Sequence, residues 1–292
     1  MRLVDPIQEF RFFERVIVQP PQLLKWVGNK QRFAKTIVSL MPQEINKYIE
    51  PFVGTGAVLG ALQPSKAIIG DNLGPLIGLW ELVRDNPDLL EDYYEKMWYL
   101  YHKDKHSAYD LSKSRYNFEP NPLDLLFISR TCYGGVMRFT KEGKISTPIG
   151  PHNPIPPEKF ASRLSEWHRI VKSTQIHHQS FEKTMELAGE GDLVYCDPPY
   201  LFSQSILYGS QGFNVKKLWE SIKKCKERGA KVMLSIDGSK KSGNVKLKIN
   251  MPDNLFEREL FVDCGRSMLR RFQKKGETLI DEDVHDRLLL TW

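Results

Sequence analysis

The sequence predicts an α/β protein in which an open, mostly parallel sheet carries a helical insertion. A short strand at Tyr48-Ile49 runs into a glycine turn and a helix, and a second strand, Ala67 to Gly70, completes a β-α-β unit. A third apolar strand, Leu193 to Cys196, leads into the peptide Asp-Pro-Pro-Tyr. Residues 81–170, between these parts, are rich in helix formers and aromatic residues and lack the β-α-β alternation. We therefore expect a sheet domain with an inserted, mostly helical lobe.

Length and composition agree with this architecture and exclude several classes of protein. The chain has 292 residues, of which 41% are hydrophobic, which is enough for a large core and argues against disorder. The formal net charge of +6 and the isoelectric point near 9.0 favour a polyanionic partner only slightly, because many soluble proteins are modestly basic. The chain has no run of about 18 apolar residues and no hydrophobic signal region, so we expect a cytoplasmic protein without a membrane partner.

The first half of the sheet has the pattern of a nucleoside-binding unit. A helix is expected from about Lys30 to Leu40, before the first strand. Gly54 and Gly56 let the backbone approach a ligand closely, because no Cβ stands in the way. Asp71 ends the second strand about 17 positions later, the usual distance for a carboxylate that binds a ribose hydroxyl. The third glycine of a dinucleotide motif is missing, so S-adenosylmethionine, which has a ribose and no phosphate, fits this unit better than a dinucleotide.

The second half of the sheet is expected to continue after the insertion and to end in a hairpin. The glycine-rich, lysine-rich segment from Asp237 to Asn244 is the best candidate for a mobile loop. The expected strands are Gln175 to His178, Leu193 to Cys196, Lys231 to Ile236, and the hairpin formed by Glu257 to Asp263 with Asp286 to Thr291.

The peptide Asp197-Pro198-Pro199-Tyr200 carries the groups that would hold a flat base with an exocyclic amine. Proline has no N–H for a sheet and pushes its predecessor towards extended geometry, so the peptide must leave the strand. Its carbonyls then point into the cleft beyond the carboxyl ends of the strands, where ligands of open α/β sheets bind. Cys196 should face the opposite side from Asp197, so it is expected to pack against a helix rather than act as a nucleophile.

Several segments resemble motifs of the D12 class, Dam-type adenine-specific DNA methyltransferases of the alpha group. Leu24 to Lys30 resembles the N-terminal K-W-x-G-x-K segment of that family, and Phe52 to Gly56 resembles its F-x-G-x-G loop. Cys132 to Phe139, followed by Gly143 and Pro148-Ile149-Gly150, is similar to the segment Y-N-G-x-x-R-x-N, G and V-P-F-G, with Gly134 where asparagine is commoner. Arg266 to Leu269 weakly resembles the closing hairpin of the family.

The resemblance implies a Rossmann-like, S-adenosylmethionine-dependent methyltransferase that modifies the N6 amine of a flipped adenine in double-stranded DNA. It implies an N-terminal extension (1–22), a catalytic domain (23–80 and 171–292) and a target-recognition lobe (81–170). A restriction-modification or Dam-like setting, a cognate endonuclease and monomeric action would be in keeping with it. The implied catalytic residues are Asp197, Pro198, Pro199 and Tyr200, and the implied cofactor-binding residues are Lys25, Trp26, Gly28, Lys30, Phe52, Gly54, Gly56, Asp71, Phe181 and Asp197. For Phe181, packing in the core is an equally good interpretation.

Basic residues supply the candidates for DNA contact. Two basic clusters after the Asp-Pro-Pro-Tyr peptide are expected to bind DNA phosphates, although each could instead be a solvated face. The first consists of Lys240, Lys241, Lys246 and Lys248, and the second of Arg266, Arg270, Arg271, Lys274 and Lys275. Arg130, Arg138 and Asn153 in the insertion are candidate base readers, since arginine can contact guanine edges and asparagine adenine edges; Arg130 could equally be a helix-surface charge. The four cysteines have no C-x-x-C spacing and no paired histidines, so no metal site is expected. The candidate DNA-binding residues are Arg130, Tyr133, Arg138, Lys240, Lys241, Arg266 and Arg270.

Two alternatives to adenine methylation of DNA stay open at the level of the sequence. The Asp-Pro-Pro-Tyr peptide suits any planar amine or amide, so cytosine N4, an RNA base or a protein glutamine could be the acceptor. An aspartate at position 197 speaks against cytosine N4 and glutamine, whose enzymes more often have serine and asparagine there. The other alternative is a DNA-binding protein that lost catalysis, and the intact motifs speak against it.

Overall fold

The computed structural model describes residues 18–199, 213–237, 239–240, 245–246, 251–266 and 283–292. In this part of the chain, seven strands form one sheet in the order β3-β2-β1-β4-β5-β9-β8. Neighbours from β3 to β5 are parallel, whereas β9 is antiparallel to both β5 and β8. A separate pair, β6 and β7, is also antiparallel. The strands are β1 (Tyr48–Glu50), β2 (Ala67–Asp71), β3 (Gln175–His178), β4 (Leu193–Cys196), β5 (Lys231–Asp237), β6 (Ser239–Lys240), β7 (Val245–Lys246), β8 (Arg258–Arg266) and β9 (Asp283–Leu290).

Helices cover both faces of the sheet. Helices α8 and α9 pack on the face that carries Ile49 and Cys196, whereas Tyr48 and Tyr195 point to the opposite apolar core. Cys196 is fully buried among the side chains of α9, which confirms its predicted orientation. The helices of the described ranges are α1 (Ala34–Ser39), α2 (Ala57–Leu62), α3 (Gly74–Asp85), α4 (Pro87–Lys103), α5 (Lys105–Phe118), α6 (Pro122–Thr131), α7 (Pro157–Val171), α8 (Phe181–Glu186) and α9 (Val215–Glu227).

The expected α/β fold is confirmed, with small differences at the ends of elements. The first helix starts at Ala34 rather than at Lys30, because residues 31–33 form a turn closed by the Phe33 N–H and the Lys30 carbonyl at 3.0 Å. The expected hairpin exists as β8 paired with β9. The proposed loop from Asp237 to Asn244 lies partly outside the described residues, and its described part contains β6. No helix in the described ranges is both long enough and apolar enough to cross a membrane.

The insertion between β2 and β3 is helical, as expected, and its helices are joined by a buried polar cluster. Asp124, at the start of α6, is 3% exposed. It accepts hydrogen bonds from Tyr93 of α4 and from Ser112 and Arg115 of α5, the last at 2.7 Å. The guanidinium of Arg115 is the main group that holds the pKa of the Asp124 carboxyl below its ordinary value, against the effect of burial. The cluster therefore fixes α4, α5 and α6 to one another.

Residues 21–23, just before the segment from Leu24 to Lys30, are held by side chains from the helical insertion. The indole N–H of Trp167 donates to the Pro21 carbonyl at 2.9 Å. Arg163 donates to the Gln22 carbonyl at 2.8 Å, and Arg130 donates to the Leu23 carbonyl at 2.7 Å. Three consecutive carbonyls that no strand pairs are thereby satisfied from α6 and α7. The described end of the N-terminal extension is thus part of the packed structure.

Candidate active site

A cavity of about 360 Å³ lies at the carboxyl ends of β1, β2 and β4. Its volume falls in the range of roughly 300–1,000 Å³ that is usual for small-molecule sites, and its position is the one expected for an open α/β sheet. Six segments contribute to its walls: residues 26–30, the stretch from Glu50 to Val58, residues 71–73 after β2, residues 180–182, the end of β4 with the peptide that follows it, and residues 213–217. Distant parts of the sequence therefore meet in one site.

The glycine turn between β1 and α2 forms part of the cavity wall. Gly54 has a φ of 48°, which glycine adopts without steric cost, and its carbonyl accepts from the indole N–H of Trp80 at 3.0 Å. Gly56 does not line the cavity. A Cβ at Gly56 would lie 3.2 Å from Trp80 and 3.3 Å from Trp167. This glycine makes room for two tryptophans that shape the turn, and its contact with the cofactor stays a prediction.

Asp71 at the end of β2 faces the cavity, as a ribose-binding carboxylate should. It accepts backbone hydrogen bonds from Leu73 at 3.1 Å and from Gly54 at 3.4 Å. Burial raises the pKa of its carboxyl above the ordinary value, although both N–H groups act in the opposite direction. The bonds hold the carboxylate between the glycine turn and the residues after β2.

Three phenylalanines form an aromatic wall of the cavity. Phe52 and Phe181 are stacked with their ring centroids 5.1 Å apart, and Phe213 lies 5.7 Å from Phe181. All three line the cavity, and each also packs against the core on the α8 and α9 side. Phe181 therefore packs in the core as well as lining the cavity, and its contact with the cofactor stays a prediction. An aromatic wall of this kind suits a flat ring.

Asp197, the first residue after β4, is paired with Lys30. The lysine Nζ lies 2.7 Å from the carboxylate Oδ1, and it also donates to the Gly28 carbonyl at 3.1 Å. The Lys30 side chain is 3% exposed and that of Asp197 is 18% exposed. Pro198 and Pro199 line the cavity with Asp197, whereas Tyr200 lies outside the described residues. The ion pair fixes the carboxylate at the cavity wall and joins the N-terminal segment to the peptide that follows β4.

Glu50 is a buried cavity residue that the sequence analysis did not select. It is 3% exposed, lines the cavity and accepts a hydrogen bond from the Tyr48 hydroxyl at 2.8 Å. Burial is the main cause that raises the pKa of Glu50 to about 8, and the negative charges of Asp197 and Asp71 add to it. The available signal was a charged residue at the end of a short apolar strand, directly before the glycine turn. Glu50 is therefore mostly protonated in the folded protein at neutral pH.

Lys25 lies outside the cavity, in contrast to Trp26, Gly28 and Lys30, which line it. Lys25 is exposed, and a Cβ at Gly135 would lie 3.1 Å from its side chain. Its side chain packs beside the turn that contains Gly135, and the contact of Lys25 with the cofactor stays a prediction.

The turn from Tyr133 to Gly135 presents an aromatic side chain next to Lys25. Tyr133 is 43% exposed. Gly134 has a φ of 66° and a ψ of 4°, a left-handed conformation that glycine and asparagine adopt most readily. Gly134 can therefore adopt the same backbone conformation as the asparagine that is commoner at this position of the resembling motif.

The structure separates the two arginines that were candidate base readers. Arg138 is exposed, as is Asn153. Arg130 is 6% exposed and donates to the Leu23 carbonyl, so neither base reading nor a helix-surface position applies to it, and this corrects the expectation. Lys240 lies on β6 and Arg266 ends β8, whereas Lys241 and Arg270 lie outside the described residues.

The residues of the cavity fit S-adenosylmethionine. Asp71 offers a carboxylate for the ribose hydroxyls, and Phe52 with Phe181 offers an aromatic face for an adenine ring. Four carboxyl groups, those of Glu50, Asp71, Glu182 and Asp197, and two ammonium groups, those of Lys30 and Lys217, line the cavity. With Glu50 protonated, one negative charge is in excess, which suits a ligand that carries positive charge. The Gly54 backbone leaves room without a Cβ.

Comparisons with known proteins agree with the geometry. The model of the D12 class N6 adenine-specific DNA methyltransferase family matches residues 26–273. The chain is 30% identical over 229 residues to the Type II methyltransferase M1.LlaDCHI of Lactococcus lactis subsp. cremoris. The aligned region covers 74% of this chain and 80% of that protein. The chain is 30% identical over 240 residues to the Type II methyltransferase M.MjaIII of Methanocaldococcus jannaschii (73% and 82%). It is 27% identical over 183 residues to the DNA adenine methylase of Haemophilus influenzae (61% and 63%).

Proposed function

The chain belongs to the D12 class N6 adenine-specific DNA methyltransferase family, and on that premise we propose that it transfers a methyl group from S-adenosylmethionine to the N6 amine of an adenine flipped out of duplex DNA. The observation that carries this proposal is the position of Asp197 and Pro198 on the cavity wall, with the carboxylate held by Lys30 at 2.7 Å. Membership of the family supports the reaction, and the position of the carboxylate on the cavity wall supports Asp197 as the proposed acceptor-binding group.

Asp197 and Pro198 would act on the amino group of the adenine. The lone pair of that nitrogen is delocalised into the ring, so it is a weak nucleophile. The Asp197 carboxylate would accept one amino proton in a hydrogen bond and the Pro198 carbonyl would accept the other, which localises the lone pair towards attack. Lys30 orients the carboxylate through its ion pair. No covalent bond between enzyme and base is required.

Residues of the glycine turn and the aromatic wall would hold the cofactor. S-adenosylmethionine, when bound, supplies the electrophilic methyl group, and the protein supplies orientation and electrostatics. Asp71 would bind the ribose, and Phe52 and Phe181 would hold the adenine ring. Trp26 and Gly28 would line the remaining part of the site.

The target base must leave the duplex to reach the Asp197 carboxylate, at a cost of a few kcal/mol. Tyr200 would stack on the flipped base. Around the site, the exposed Tyr133 and Arg138 of the helical lobe, with the exposed Lys25 of the N-terminal segment, are proposed as a DNA-facing surface. The basic clusters that contain Lys240, Lys241, Arg266 and Arg270 are proposed to bind phosphates.

Methyl transfer from labelled S-adenosylmethionine to unmethylated duplex DNA, followed by nucleoside separation, tests the reaction. We expect label in N6-methyladenosine with the wild-type enzyme and none with Asp197→Ala, which should still bind the cofactor. Label in N4-methylcytosine would overturn the choice of base. Label with Asp197→Ala at the wild-type rate would overturn the role of the carboxylate.

A restriction-modification setting is the second part of the proposal. Two relatives at 30% identity carry the name Type II methyltransferase. We expect DNA that the enzyme has modified to resist an endonuclease of the same specificity, and we expect the enzyme to act as a monomer. Cleavage of modified and unmodified DNA at equal rates would contradict the first expectation, and second-order dependence of the rate on enzyme concentration would contradict the second.

A further inference from the structure

The chain between the Tyr133 turn and Gly150 forms a hairpin that projects from the end of α6. The hairpin is closed at its base by the Tyr133 N–H, which donates to the Pro148 carbonyl at 2.9 Å. Phe139 and Ile145 form a bridge further out, and a turn at Gly143 joins the two sides. The outgoing side carries the exposed Arg138. Hydrogen bonds within a hairpin this short leave its direction relative to the helices undetermined, so other contacts must set it.

Thr147 connects the two sides of the hairpin through its hydroxyl group. Its Oγ1 accepts from the backbone N–H of Arg138 at 2.7 Å and donates to the carbonyl of Val136 at 2.9 Å. The neighbouring Ser146 N–H donates to the Arg138 carbonyl at 2.9 Å. Thr147 is 3% exposed, so water does not replace these bonds readily. Both backbone polar groups of Arg138 are therefore bound by adjacent residues of the returning side.

The returning side is in turn bound by one row of side chains on α5. Tyr109, Lys113 and Asn117 are spaced by four residues and so share a face of the helix. The Tyr109 hydroxyl and the Lys113 ammonium donate to the Thr147 carbonyl at 2.9 and 3.2 Å. The side-chain amide of Asn117 bonds both polar backbone groups of Ile145, at 2.7 Å to its N–H and 3.1 Å to its carbonyl.

We propose that Thr147, bound to the Tyr109, Lys113 and Asn117 row of α5, is a positioning residue that fixes the backbone of Arg138 for DNA recognition. The carbonyl of Thr147 is bound to α5, and its hydroxyl is bound to the outgoing side of the hairpin at Arg138. Thr147 therefore fixes the position of the Arg138 backbone relative to α5. Helix α5 is itself anchored through Ser112 and Asp124. A side chain reads a base edge only when its backbone is held in one place, because a displacement of about 1 Å breaks a bidentate contact. This inference rests on the proposed role of Arg138 at the DNA.

Thr147→Val tests the inference, because valine keeps the shape of threonine and removes the hydroxyl. We expect the KM for duplex DNA to rise about tenfold, the value for losing one well-placed hydrogen bond. The kcat at saturating DNA and the affinity for S-adenosylmethionine should stay at the wild-type values. Sequencing of the modified positions should also find methylation at sites that differ by one base pair from the wild-type target. Tyr109→Phe removes one hydrogen bond to the Thr147 carbonyl. It should also raise the KM for DNA and relax the choice of modified sites, but less than Thr147→Val does.

Thr291→Val is the matched control. Thr291 is 5% exposed and its hydroxyl accepts the Val232 N–H at 2.9 Å, at the amino end of β5, whereas the cavity lies at the carboxyl ends of the strands. This variant should leave the KM for DNA and the modified positions unchanged. Equal effects of Thr147→Val and Thr291→Val on every parameter would overturn the inference, because they would mean a general loss of structure.

Arg138→Ala separates the inference from the proposed function. A raised KM for DNA in Arg138→Ala, together with wild-type behaviour of both Thr147→Val and Tyr109→Phe, would overturn the positioning role alone. A wild-type KM in Arg138→Ala would overturn the assignment of the hairpin to DNA, and with it the inference. A raised KM in Arg138→Ala and in Thr147→Val, with unchanged kcat, would support both.

Discussion

Lys30 and Asp197 stand 167 positions apart in the sequence and form an ion pair of 2.7 Å at the cavity wall. The lysine is almost completely buried, and a buried ammonium group is stable only when it is paired and hydrogen-bonded. The carboxylate and the Gly28 carbonyl both accept from it. The pair therefore makes the geometry of the Asp197 carboxylate depend on the N-terminal segment, which also lines the cavity.

The Lys30→Met variant should lower kcat about 10²-fold, because the Asp197 carboxylate loses its orienting partner. Single-turnover methylation at saturating DNA and cofactor measures this effect. Lys47→Met is the control, since Lys47 forms a more exposed ion pair of 3.1 Å with Asp192 away from the cavity. We expect a change of no more than about twofold there. Equal losses in the two variants would contradict the orienting role of Lys30.

The Glu50→Gln variant should change the pH dependence of stability. Glu50 has a pKa of about 8 in the folded protein, against an ordinary value of 4.5, so the folded state keeps a proton that the unfolded chain releases. Stability from this group is therefore greatest at low pH, falls as the pH rises from 4.5 to about 8, and is constant above that. Tyr48, Asp197 and Asp71 are the titratable groups that act on it.

Urea unfolding across this pH range measures the effect. The stability of Glu50→Gln relative to the wild type should increase with pH by at most about 1.4 kcal/mol per unit. Glu95→Gln, on an exposed part of α4, controls for the introduction of a neutral amide. A difference between Glu50→Gln and the wild type that stays constant with pH would mean that Glu50 is already ionised in the folded protein.

Gly56→Ala should destabilise the protein more than Gly143→Ala. Both glycines have a positive φ, 65° and 77°, so either alanine costs about 1–2 kcal/mol of backbone strain. Only at Gly56 does the new methyl group meet Trp80 and Trp167, which adds about 1–3 kcal/mol, whereas nothing lies within 4 Å at Gly143. Denaturant unfolding of the two variants gives the difference. Equal losses would show that the tryptophans move aside.

Arg130→Met should lower the free energy of unfolding by about 1–3 kcal/mol, since the Leu23 carbonyl loses its donor. The KM for DNA of the folded protein should not change, because Arg130 is buried. Thermal unfolding and DNA titration on the same preparation separate the two effects. A DNA defect without loss of stability would restore Arg130 as a DNA contact.

Cys196→Ala should retain methyl transfer within about twofold, whereas substitution of the neighbouring Asp197 by alanine should lower kcat about 10³-fold. Burial holds the pKa of the Cys196 thiol well above its ordinary value, and the side chain packs towards α9, so no thiolate faces the cavity. Steady-state methylation measures both variants. Loss of activity in Cys196→Ala with an unchanged unfolding temperature would indicate a role for the thiol.

Sequence patterns predicted the strands and most of the cavity, because those features depend on local periodicity and on glycine and proline. The end of β2 at Asp71 and the departure of the chain after Cys196 are of this kind. The positions of Lys25, Gly56 and Arg130 could not be predicted in the same way. The surroundings of Gly56 are set by Trp80 and Trp167, which lie 24 and 111 positions away in the sequence. The position of the Arg130 side chain is set by the Leu23 carbonyl, 107 positions away. Such contacts exist only after the insertion has packed on the sheet.

The contact of Trp167 with the glycine turn bears on how target specificity can be exchanged between relatives. Trp167 lies on α7, inside the insertion, yet it fills the space above Gly56 and Gly60 and binds the Pro21 carbonyl. A chimera that received residues 81–170 from another enzyme would import a new side chain at this position against an unchanged turn. Transplants of the proposed target-recognition lobe should therefore keep the fold when they end before α7, at about residue 156, and leave the native helix in the recipient.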